Sequence, residues 1–194
     1  MASLGIPTRI NNPFEIDHHF IEEDLKKGQP VILQFSRKSY DDHLLEEIDT
    51  LCSRNNALLE VRFYGHSFDC STLLKIPHVK SIRIDCVENA YHTECLTKMD
   101  QLESLHLGIY ELLDTEILSS DNLKNLRALT VYTEKKALNL TYLCEYEKLK
   151  TLQIGGKTKH LEAIGNVSAL EFLSLNSISR TPLHFVLFER VKNL

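Results

Sequence analysis

Between residues 86 and 95 the chain carries Cys86, His92 and Cys95 in a C-x5-H-x2-C run, with His66 and His78 upstream. Thiolate and imidazole are zinc ligands, but structural zinc sites favour tighter paired spacing, so these side chains are expected as core filler and surface imidazole. The same residue types could form a Cys–His hydrolytic pair, which needs a deep cleft to bring nucleophile and base together. Gly155-Gly156-Lys157 departs from the G-x-x-x-x-G-K-[ST] spacing of a phosphate loop, and its glycines are expected to let the chain turn after a strand. His18-His19 stands among acids on what reads as a helix, a solvated setting. These patterns together predict a non-enzymatic chain without cofactor or metal.

The elements that would have to position such chemistry begin with composition. A chain of 194 residues, 43% hydrophobic and 25% charged, suits one domain with a sizeable core. Its net charge of −5 argues against general nucleic-acid binding, which needs a basic face. The start, MASLGIPTRINNPFEID, has no apolar signal core, and no stretch approaches the roughly eighteen apolar residues of a membrane span. Cys52, Cys70, Cys86, Cys95 and Cys144 are odd in number and lack a CxxC pair, which suits reduced thiols and a cytoplasmic location.

The dominant pattern is a recurrence. "LLEVRF" (58–63), "VKSIRI" (79–84), "LESLHL" (102–107), "LRALTV" (126–131), "LKTLQI" (149–154) and "LEFLSL" (170–175) follow one another at steps of 21, 23, 24, 23 and 21 residues. A seventh start, Val191-Lys192-Asn193-Leu194, ends the chain. Each motif alternates apolar, polar, apolar over its last three residues, as a half-buried strand requires. Further aliphatics, Leu73, Leu96, Leu143 and Ile164, stand six residues before the next motif. No such repeat buries its apolar face alone, so the units are expected to stack.

On these motifs the chain resembles the leucine-rich repeat family over about residues 30–194, its short periods being similar to the irregular repeats of internalins and phosphatase regulators. The resemblance implies an α/β solenoid: a right-handed horseshoe with a parallel concave sheet and a helical N-terminal cap. The family's Asn or Cys after the last motif leucine is replaced by His66, Val87, Tyr110, Glu134, Lys157 and Ile178, which predicts irregular turns.

Residues 1–56 are expected as the cap and 57–194 as the repeats, continuous in one domain. The cap reads as helix (13–27, from Asn12-Pro13 to Gly28), strand ("VILQF", 31–35) and helix (39–56, Ser39 as N-cap, with Tyr40, Leu44, Leu45, Ile48, Leu51 and Cys52 inward). The 28 residues from Leu33 to Val61 resemble the longer repeat of the ribonuclease-inhibitor type.

Strand alternation sends the polar motif positions onto the concave face in rows. One row reads Gln34, Arg62, Arg83, His106, Thr130, Gln153, Ser174; the next reads Ser36, Tyr64, Asp85, Gly108, Tyr132, Gly155, Asn176. Arg62, Arg83 and His106 form a local basic spot flanked by Tyr64 and Tyr132, the residue types of interaction hot spots. Arg62, Tyr64, Arg83, Asp85, His106, Tyr132 and Gln153 are therefore the expected binding residues. The bland alternative is a solvated face in which Arg62 pairs with Glu60 or Asp85.

The resemblance implies a protein–protein interaction module holding an acidic protein surface, such as a toxin-neutralising immunity protein, an inhibitor or an adaptor. Its rivals are the recognition part of a larger enzyme and a homo-oligomer paired through the C-terminal edge. Charge reversal at Arg62 and Arg83 is expected to abolish binding at little cost in stability, on the view that both are exposed.

Overall fold

The computed structural model describes residues 6–37 and 39–176. The incipient motif at Val191–Leu194, the edge it would form and Ile178 lie outside them. Among the described residues ten strands run in chain order: β1 (Thr8–Asn11), β2 (Val31–Phe35), β3 (Leu59–Gly65), β4 (Phe68–Asp69), β5 (Ser81–Cys86), β6 (Ala90–Tyr91), β7 (Ser104–Ile109), β8 (Ala128–Asn139), β9 (Thr151–Lys159) and β10 (Phe172–Asn176). Eight of them form one sheet in the order β1-β2-β3-β5-β7-β8-β9-β10, every neighbouring pair parallel, and β4 pairs with β6 beside it. The chain thus adds one strand after another in a single direction, an α/β solenoid. Among the described residues no helix is long and apolar enough to cross a membrane.

All six motifs are strands of this sheet. The first apolar column of the core reads Leu33, Val61, Ile82, Leu105, Leu129, Leu152, Leu173 in direct register, each 8% exposed or less. Leu73, Leu96, Leu143 and Ile164 close the core from the opposite side, all buried. They sit in 3-10 helices, Cys70–Lys75, Thr93–Lys98, Thr141–Glu145 and Leu161–Asn166. A 3-10 turn climbs about 2 Å per residue against 1.5 Å in an α-helix, so a 21- to 24-residue repeat returns to the sheet with fewer residues. The 28-residue repeat has room for an α-helix, α2 (Asp42–Arg54).

The cap differs from the expected helix, strand, helix. It opens with a strand, β1, and α1 spans His18–Lys26, with Asp17 capping it through a bond from the Phe20 N–H at 3.0 Å. Asn12, expected to open the helix, instead follows β1 directly in the left-handed conformation at φ 45°. Its carboxamide accepts from the Ser36 N–H at 2.9 Å and donates to Ser36 Oγ at 3.0 Å, tying the ends of β1 and β2. Gly28 ends α1 as expected: its N–H bonds to Leu25 O, and that of Gln29 bonds to Asp24 O, a Schellman closure. The cap of α2 is Asp41, whose carboxylate accepts from the His43 N–H at 2.8 Å, and Ser39 lies outside the helix. Leu44, Leu45, Ile48, Leu51 and Cys52 face inward as expected; Tyr40 precedes the helix and packs edge-on against Phe35 and Phe63.

Without an asparagine ladder, the turns after the strands are held by backbone. Val87 N–H bonds to Gly65 O, Tyr110 N–H to Cys86 O and Glu134 N–H to Tyr110 O, each joining one repeat to the next. Gly155 and Gly156 also depart from expectation, since both lie within β9. Gly156 has φ +82°, and a Cβ there would stand 1.9 Å from Thr133 O, because the Thr133 backbone of β8 presses against it. Tyr146 is fully buried, and its hydroxyl donates to Leu118 O at 2.9 Å.

Two variants test these contacts by urea denaturation. Gly156→Ala is expected to cost about 2 to 4 kcal/mol, since both its φ and its space are denied to a side chain. Tyr146→Phe, which keeps the ring and removes one buried hydrogen bond, is expected to cost about 1 to 2 kcal/mol; a Gly156→Ala protein as stable as wild type would contradict the close approach of β8 to β9.

Candidate functional site

The expected polar row forms as read. Gln34, Arg62, Arg83, His106, Thr130, Gln153 and Ser174 are successive register partners, and Asn11 of β1 extends the row by one strand. The adjacent row places Tyr64, Asp85, Gly108, Tyr132, Gly155 and Asn176 side by side.

The side chains of these rows bond across the strands. Asn11 accepts from the Gln34 carboxamide, whose oxygen accepts from Arg62 Nη1 at 3.2 Å. Arg62 Nε donates to Asp85 Oδ2 at 2.7 Å, and the other Asp85 oxygen lies 3.1 Å from His106 Nε2. One connected polar chain therefore crosses β1, β2, β3, β5 and β7. Arg62 also lies over the Tyr64 ring, 5.0 Å from its centroid. Arg83 Nε stands 2.9 Å from Glu60 Oε1 as an ion pair, and Arg83 Nη2 donates to Glu60 Oε2 at 3.5 Å.

The basic spot is thus corrected to a charge-balanced network, with two guanidinium groups set against two carboxylates. Strand register is the cause: it sets Arg62 beside Asp85 of the next row and Arg83 beside Glu60, within reach of long side chains. Nor are these groups freely exposed. The Arg62 and Asp85 side chains are 23% and 25% exposed, and those of Arg83 and Glu60 are 32% and 17% exposed. The premise that both arginines are exposed is thereby corrected: each is half-buried and paired with a carboxylate.

Burial pushes the Asp85 carboxyl up, but the His106 hydrogen bond and then the Arg62 guanidinium outweigh it and hold the group below its ordinary range. A depressed carboxylate contributes stability above its unfolded value, near 3.9, and loses it as pH falls through the folded one. The Asp85 carboxylate is therefore ionised at neutral pH. Gly108 makes room for it: a Cβ there would stand 2.5 Å from Asp85 Oδ1 and 3.3 Å from His106 Nε2.

Tyr132 and Gln153 lie further along the sheet and outside this network. Tyr132 is 39% exposed, its hydroxyl donates to the Glu134 carboxylate, and its ring lies over Gly155, where a Cβ would meet it at 2.4 Å. Gln153 is three strands from Arg83, roughly 14 Å at the usual strand spacing.

The C-x5-H-x2-C residues are used otherwise. His92 Nδ1 pairs with Asp69 at 2.8 Å, whereas Cys86 and Cys95 are buried in the core. Burial pushes the Cys86 thiol up to about 12. Among the described residues no three His, Cys, Asp or Glu side chains are grouped to hold a metal ion. Sequence reasoning missed Asn11, because a four-residue strand at the chain start carries too little alternation to show, and it missed the space that Gly108 leaves for Asp85.

No protein-family model matches the chain, and no curated protein matches it. Solved structures do. An internalin C2 from Listeria monocytogenes str. 4b F2365 is similar at 18% identity and a TM-score of 0.49 over 85% of this chain. An internalin InlF from the same organism is similar at 13% identity and a TM-score of 0.47 over 84% of it. This chain spans 66% and 58% of their lengths. Its own strand order and register make it a parallel α/β solenoid.

Proposed function

We propose that the chain is a non-enzymatic recognition module that holds an acidic surface of another protein on its concave sheet, through Arg62, Tyr64, Arg83, Asp85, His106, Tyr132 and Gln153. The observation that supports this most is the polar chain from Asn11 to His106, ordered on an open face in the free protein. An arginine side chain carries about 2 kcal/mol of rotamer entropy. Arg62 has already given up its freedom to Asp85 and Gln34, so association loses less. A guanidinium has five N–H donors, and these two bonds engage two of them. A partner carboxylate is received by the remainder, with Tyr64 and Tyr132 supplying contact area.

Within that class we favour a toxin-neutralising immunity role over an inhibitor or adaptor role, acting in the cytoplasm. The free thiols Cys52, Cys70, Cys86, Cys95 and Cys144 support a reducing compartment.

Affinity capture from native lysate tests the face. Tyr132→Ala with Gln153→Ala, both on the open sheet, is expected to keep the wild-type melting temperature and lose the captured partner. A partner retained by this variant and also by Arg62→Leu/Asp85→Leu, which removes both members of one pair, would move binding off the concave sheet. Separately, Arg62→Glu with Arg83→Glu is expected to lower stability by about 2 to 4 kcal/mol in urea denaturation, since it sets new carboxylates against Asp85 and Glu60.

A further inference from the structure

Beyond Tyr64 the concave face opens into a cavity of about 710 Å3 at the ends of β2 and β3, lined among others by Arg37, Tyr40, Tyr64, Phe68, Asp69 and Tyr91. Its wall is rigid. Tyr40 meets Phe35 and Phe63 edge-on with ring centroids 5.8 and 5.3 Å away, and Phe63 stacks on Phe68 at 4.4 Å. Burial pushes the Tyr40 phenol up to about 12, which keeps its hydroxyl neutral.

Arg37 differs from the arginines of the concave row. It is half-buried as they are, but among the described residues no carboxylate lies within ion-pair distance of it. Its Nη2 donates to Asn12 O at 2.6 Å and Pro13 O at 3.3 Å, and the Phe14 ring lies 4.4 Å from its central carbon. The carbonyls and the ring fix the guanidinium in place without cancelling its charge. The carboxylate in the same cavity wall is already satisfied: Asp69 pairs with His92 Nδ1 at 2.8 Å and accepts from the Ser71 N–H at 2.9 Å. An oriented, uncompensated cation lining one cavity with Tyr40, Tyr64 and Tyr91 calls for an anion on a flat apolar body.

We infer that this cavity receives a carboxylate carried next to an aromatic ring, as an acidic and aromatic segment of a protein partner would present it, with Arg37 as the anion receptor. This rests on the reading of the chain as a protein-recognition module, and it moves the anchor for an acidic partner from the neutralised Arg62 and Arg83 to Arg37. Tyr64 joins the two regions, since it lines the cavity and stacks with Arg62.

A matched set of ligands tests this on the full chain by NMR titration. 4-Hydroxyphenylacetate and tyramine share a ring and differ in carrying a carboxylate or an ammonium, and N-acetyl-Tyr-Glu-amide presents the carboxylate on a peptide. The free acid and the blocked dipeptide are expected to shift the Arg37 Nε–H and the Tyr64 and Tyr91 amide signals, and tyramine is not. Arg37→Gln should weaken both acids about tenfold, the loss of one charged hydrogen bond. Tyr91→Ala, at an exposed position where folding is not in question, should weaken them as well.

Tyramine binding as well as the acid would overturn the inference, as would acids that bind Arg37→Gln unchanged or that shift nothing. Binding of the free acid without the dipeptide would overturn the peptide source and assign the cavity to a small aromatic acid. The titration needs no partner, so its failure is separate from that of the concave-face reading, which capture tests alone. A partner that Arg37→Gln still captures, but Tyr132→Ala/Gln153→Ala does not, would likewise sink the cavity and leave the face standing.

Discussion

Parallel register from one strand to the next is the constraint on which the rest of the molecule depends. Side chains alternate across a strand and neighbouring strands lie about 4.8 Å apart, so register turns each repeat position into a column running the length of the sheet. The column from Leu33 to Leu173 and its companion from Phe35 through Phe63, Ile84, Leu107, Val131 and Ile154 build the core. A slip of one residue would send those columns to the concave face and bury Arg62 and Arg83, so core and surface are set by one alignment. The 3-10 helices and turn bonds restore that alignment after every excursion.

The columns were legible because they depend on spacing alone. The steps between motifs align Gln34, Arg62, Arg83 and His106 without knowledge of any turn, and the structure reproduces that row residue for residue. Features set by contacts distant in sequence were not legible. Asn12 before Pro13 looks like a helix start, yet its partner is Ser36, 24 residues away. Gly155-Gly156 looks like a turn, yet the reason for Gly156 is the backbone of Thr133 on the neighbouring strand. Arg37 carries no pattern at all; its setting appears only once Asn12, Pro13 and Phe14 are brought beside the end of β2.

The fate of the concave charges follows from the same geometry. Half-buried ions on adjacent strands find opposite partners, because an unpaired charge there would lose hydration without compensation. Asp85 serves both Arg62 and His106, and Glu60 serves Arg83. The face is therefore close to neutral in sum but strongly structured in pattern. Such a surface discriminates by position: a partner must place its carboxylates where donors remain and keep them away from Asp85 and Glu60.

The core and the surface also differ in how they could change by duplication. Apolar columns are interchangeable from repeat to repeat, so gain or loss of a whole unit would leave the hydrophobic stack continuous. The ion pairs join unlike residues of neighbouring units: Glu60 and Arg62 of one bond to Arg83 and Asp85 of the next. Excision of the unit bearing β5 would bring Arg62 beside His106 and strand Glu60 without a guanidinium. The molecule is modular in its interior and indivisible on its concave face, so lineages that vary its length would have to rewrite the face with each unit gained or lost.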